Sequence, residues 1–60
     1  MGTQILKKFQ PLSNDVKGKI DELINRNGKL ILETKTFVEI QRYESIAKID
    51  QWGRVEWRPA

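Results

Sequence analysis

The chain contains no cysteine and no histidine among its 60 residues. The first absence removes any disulfide framework and any thiolate zinc site. Together the two remove a Cys–His dyad, a Ser–His–Asp triad and imidazole metal ligation. Long hydrophobic runs are also missing. The longest is Leu30-Ile31-Leu32, far short of a membrane span or a signal-peptide core. Glycines are scattered at positions 2, 18, 28 and 53, so no phosphate-cradling loop is present. These absences point to a cytoplasmic protein that binds no cofactor or metal and has no membrane partner.

What remains is a small domain of ordinary composition. Hydrophobic residues make up 38% and charged residues 32%, a balance that folds rather than staying disordered. One domain spanning 1–60 is all this length allows. A chain of this size buries only about 60% of the surface it exposes when unfolded, so stability is marginal and oligomerisation is a natural supplement. Net charge is +3, with a pI near 9.5. The excess lies in residues 1–29, where Lys7, Lys8, Lys17, Lys19, Arg26 and Lys29 face Asp15, Asp21 and Glu22. Residues 30–60 carry five charges of each sign. A basic balance attracts phosphate, but alternating signs cancel at distances beyond about 8–10 Å in physiological salt.

The clearest element is a helix over 13–27. Ser13 or Asn14 caps it, and Asp15 suits the positive end of the helix dipole. Leu12, Val16, Ile20, Leu23 and Ile24 fall on one stripe at 100° per residue, with Gly18 opposite. Asn27-Gly28 reads as the stop, with Gly28 in the left-handed position after the last turn. Before the helix, 1–12 form an arm in which residues 3–9 are a short strand candidate ended at Gln10-Pro11.

From Lys29 onward the hydrophobic period changes to two, giving antiparallel strands over 29–58. Lys29–Glu33 and Thr36–Tyr43 are either two strands joined by a turn or one long bent strand. The last hairpin is better defined. Asp50-Gln51-Trp52-Gly53 fits a type I turn followed by a left-handed Gly53. That register pairs Asp50 with Arg54, Ile49 with Val55, Lys48 with Glu56, Ala47 with Trp57 and Ile46 with Arg58. Apolar pairs then share one face and opposite charges the other. A slip of one residue would destroy both sets. Pro59 ends the last strand. The fold class is therefore α+β: one amphipathic helix on a three- or four-stranded antiparallel meander, with a possible extra N-terminal strand.

Leu30-Ile31-Leu32, Phe37-Val38 and Ile46 place apolar side chains on both sheet faces. One helix covers one face, so the other calls for the arm, a partner or a second copy. Self-association into a homo-oligomer is expected on this ground.

Catalysis has no support. Ser13 is a helix cap, and Ser45 has no base beside it. Asp21 and Glu22 diverge on the helix. Glu39 and Glu44 meet only under one of several registers. Function must therefore lie in surfaces. Trp52 occupies an exposed turn, where it either folds back over the sheet edge or anchors a partner. Trp57 shares a face with Ile49 and Val55, which predicts a core position. Trp52, Arg54 and Arg58, extended by Arg42 and Tyr43, form the candidate partner-binding patch, since Trp, Tyr and Arg dominate interface hot spots. Lys7 and Lys8 are candidate phosphate contacts.

Three functions follow as expectations. The first is a non-catalytic protein-binding module, regulatory or inhibitory, of the compact kind common in viruses and mobile elements. The second is a nucleic-acid-binding module using the basic first half and the aromatic–arginine hairpin. The third is a structural homo-oligomer.

Overall fold

Ser13 begins the ordered helix. Its backbone is extended, at φ −151° and ψ 166°, and its Oγ accepts from the Val16 N–H at 3.5 Å. In the computed structural model, which describes residues 6–60, helix α1 runs Asn14–Asn25. Val16 and Ile20 are its fully buried residues, with Leu23 and Ile24 packed beside them. Leu12 departs from the expected stripe. It precedes the helix and is 60% exposed, because the chain enters the helix only at Ser13.

The helix stop differs from the expectation by one residue. Asn27, not Gly28, takes the left-handed conformation, at φ 71°. Asparagine tolerates that region better than other side-chain-bearing residues. The Gly28 N–H then closes the helix end by donating to the Leu23 carbonyl at 2.8 Å. Glycine is needed at 28 for space, since a Cβ there would sit 2.8 Å from Ile40 Cγ2 and against the Leu23 carbonyl. Gly18, by contrast, faces open space.

Four strands follow: β1 Lys29–Glu33, β2 Phe37–Arg42, β3 Ser45–Asp50 and β4 Val55–Pro59. They form one antiparallel sheet in the order β1-β2-β3-β4. Residues 29–43 are thus a hairpin and not one bent strand. Thr34 makes the turn: its N–H donates to the Phe37 carbonyl, and its Oγ accepts from the N–H groups of Thr36 and Phe37. The β3–β4 register is the one the charge and apolar patterns required, from Ile49↔Val55 to Ile46↔Arg58. Gly53 is left-handed at φ 89°, and its N–H donates to the Asp50 carbonyl.

The arm adds no strand among the described residues. Residues 3–5 of the 3–9 candidate lie outside them, and Leu6–Leu12 run irregularly. Phe9 is nevertheless buried and joins Val16, Ile20, Val38, Ile40 and Ile49 in the core. The Glu33 carboxylate fastens it there by accepting from the N–H groups of Lys8 and Phe9.

Trp57 is not core. It is 51% exposed, although it pairs with the fully buried Ala47 on the helix side of the sheet. The helix lies over β1 and β2, so the helix-side face near the end of β4 has no roof. On the opposite face much of the apolar surface is covered from within the chain. Arg58 reaches across β3 to Glu39, with two hydrogen bonds of 2.8 and 3.1 Å, and Ile46 beside it is 8% exposed. Lys48 Nζ sits 4.5 Å from the centre of the Phe37 ring. Ile31 and Leu32 stay exposed on β1, where the register shifts by a bulge between Leu30 and Leu32.

Candidate functional site

Meander topology gathers the β1–β2 turn, the β3–β4 turn, the arm and the start of α1 at one end of the molecule. The β2–β3 turn and the helix stop lie at the other. Six-residue strands rising about 3.3 Å per residue separate the two ends by roughly 20 Å. The expected patch is therefore divided. Trp52 and Arg54 are at the first end and Arg42 and Tyr43 at the second. Arg58 lies nearer the second end, opposite Ile46 and on the face away from the helix.

Two of the three arginines are engaged within the chain. The Arg58–Glu39 pair holds the Glu39 carboxyl below its ordinary range, chiefly through the Arg58 hydrogen bonds, and raises the Arg58 guanidinium in turn. Arg42 donates from Nε to the Arg26 carbonyl at 2.8 Å and lies 5.3 Å from the Tyr43 ring centre. Arg54 makes no ion pair among the described residues and lines a mixed-charge groove with Lys48, Asp50 and Glu56.

The β3–β4 turn is built without help from the Trp52 side chain. Asp50 Oδ1 accepts from the N–H groups of Trp52 and Arg54 at 3.0 and 2.9 Å. Gly53 supplies the left-handed step, and the Lys19 ammonium ties the turn to α1 by donating to the Gly53 carbonyl at 3.0 Å. Gly53 is buried against Val16, while the neighbouring Trp52 is 75% exposed. Leu12 is held close by, since its N–H donates to the Gln51 carbonyl. An exposed indole and an exposed leucine thus flank a rigid turn.

Next to that turn Lys7, Lys8, Gln10, Lys35 and Gln51 line an open groove of about 470 Å³. Gln51 Nε2 donates to the Lys35 carbonyl at 3.3 Å, which joins the two turns. None of the three lysines is in an ion pair among the described residues. The nearby acid, Glu33, is held below its ordinary range, mainly by the Phe9 N–H and to a lesser degree by that of Lys8, against an opposing effect of burial that lies between the two. It is committed to the arm. The groove thus offers three cations and two amides to an anionic group.

Lys7 and Lys8 are the residues of this groove that the sequence offers as candidate phosphate contacts, whereas Lys35, Gln10 and Gln51 are not singled out there. Strand order alone brings Lys35 and Gln51 together, because a meander places alternate turns at one end, whereas Gln10 comes with the arm. Comparison with protein-family models, with curated proteins and with solved structures finds no match for this chain.

Proposed function

We propose that this chain is a non-catalytic module that binds another protein through the tip of its β3–β4 hairpin. Trp52 carries the reading. The turn it occupies is complete without its side chain, so a large apolar group is carried on a hydrogen-bonded turn and left uncovered. Such a residue gives much contact area at little entropic cost, as interface anchors do. Leu12 widens the apolar contact, and Arg54 together with the separate lysine groove beside Gln51 supplies charge near it. With no thiol or imidazole, action by occupying a partner surface fits better than chemistry. A reducing cytoplasm suits a chain without cysteine.

The test is capture from host lysate with wild type and Trp52→Ala side by side, followed by affinity measurement on the captured protein. The variant should melt like wild type and bind about 30-fold more weakly, about 2 kcal/mol. Equal binding by both would overturn the reading.

The lysine groove favours a second reading, nucleic-acid binding by backbone contact. Arg58 is paired with Glu39 and Arg42 donates from Nε to the Arg26 carbonyl, so the lysines carry this reading. Affinity for mixed DNA and RNA across a salt series discriminates. Binding through three phosphate contacts should weaken with a log–log slope of about −2 to −3. No binding at low salt removes this reading.

A further inference from the structure

The outer edge of β4 is unpaired among the described residues, and its hydrogen-bonding groups can be assigned from the turn. The Asp50 N–H donates to the Arg54 carbonyl and the Ala60 N–H to the Glu44 carbonyl. Bonded pairs alternate along an antiparallel ladder, so Lys48/Glu56 and Ile46/Arg58 are bonded as well. Val55, Trp57 and Pro59 therefore turn their backbone groups away from β3. Pro59 has no N–H to offer, which leaves the N–H groups of Val55 and Trp57 and three carbonyls.

We propose that this edge pairs antiparallel with β4 of a second copy of the chain, in the register that sets Trp57 opposite Trp57 of the second copy. Charge selects that register. It places Glu56 opposite Arg58 of the second copy and Arg58 opposite Glu56, both on the face away from the helix. Shifting the two-fold axis by one residue toward Val55 sets Glu56 against Glu56. Shifting it the other way sets Arg58 against Arg58. Like charges directly opposite are destabilising, and opposite charges stabilise. The chosen register also suits proline. Each Trp57 N–H donates to the other Trp57 carbonyl, and each Val55 N–H donates to Pro59 of the other copy. Pro59 thus needs only its carbonyl and falls at the rim.

Pairing also answers the exposure of Trp57. The two indoles come side by side on the helix-side face, where α1 leaves β4 without a roof. The sheet becomes eight strands with β1 at both ends. The β1 edge is the poorer candidate, because its bulge interrupts a straight ladder and its Glu33 carboxylate already binds the arm. Two five-residue strands make a small interface, so association should depend on concentration. This pairing is independent of the reading given to Trp52, which lies outside the paired strand.

The test combines sedimentation with amide hydrogen exchange on the full chain over a wide concentration range. The expected result is a monomer–dimer equilibrium in which exchange at Trp57 and Val55 slows at least about tenfold on association. A chain made by chemical synthesis with an N-methyl group on Trp57 keeps every side chain and loses the central donor. It should stay monomeric, with an unchanged circular dichroism spectrum. A wild type that is monomeric at every concentration would overturn the proposal. So would dimers that protect β1 amides instead of those of β4, or dimers that survive methylation.

Discussion

Tyr43 in the β2–β3 turn and Trp52 in the β3–β4 turn are both large, aromatic and mostly exposed, and the chain treats them differently. Tyr43 is itself the strained residue of its turn, at φ 57°, a region that bulky residues seldom enter. Its hydroxyl accepts from Asn27 Nδ2 at 2.9 Å, its carbonyl accepts from Gln41 Nε2, and Arg42 lies over its ring. Asn27 is the left-handed residue of the helix stop, so two uncommon backbone conformations hold each other in place. At Trp52 the strain passes to Gly53, the hydrogen bonds to Asp50 and the tether to Lys19. Exposure alone is therefore a poor guide to function. The Tyr43 side chain is bonded into its turn, whereas the β3–β4 turn closes without the Trp52 side chain.

The largest effect on that comparison should come from the helix stop. Gly28→Ala drives a Cβ into Ile40 and the Leu23 carbonyl. We expect a loss of about 2 kcal/mol in urea unfolding, within the usual range for overpacking. A smaller loss would mean that the scaffold end is looser than its contacts imply. Next in size is the contrast between the turns themselves. Tyr43→Ala should cost about 1 kcal/mol, the worth of a hydrogen bond and a weak cation–π contact. Trp52→Ala should stay within about 0.5 kcal/mol of wild type by the same measurement. Equal losses in the two variants would erase the distinction.

The smallest effect concerns the arm that borders the Trp52 end. Glu33 titrates below the ordinary glutamate value of 4.5 in the folded chain. The unfolded chain therefore takes up the proton first as pH falls. The stabilisation by Glu33 is present in full above that value and is lost as pH drops through the lower folded value. Glu33→Gln should flatten this acid limb in melting temperature measured from pH 6 to 2, leaving the part due to Glu39. An unchanged limb would show that the carboxylate does not hold the arm.

Several features were legible in the residues. The β3–β4 register followed from Lys48/Glu56 and Ile49/Val55, because a one-residue slip reverses every side chain. The Ser13 cap followed from the same kind of local rule. Trp57 was misplaced because alternation assigns a face and says nothing of how far the helix extends over it. The second sheet face was expected to call for the arm, a partner or a second copy; Arg58, Glu39 and Lys48 shield Ile46 and Phe37 there, while Ile31 and Leu32 stay exposed. Long charged side chains do this with their aliphatic stems, which no hydrophobic pattern records.

The amino-acid order by itself determined the elements, the last hairpin and the exclusion of thiol and imidazole chemistry. These depend on spacing along a few neighbouring residues, or on composition alone. Tertiary structure decided which exposed aromatic is free, which arginines are engaged and which lysines share a groove. Those outcomes depend on distances between segments far apart in the chain, and only the packed fold sets such distances.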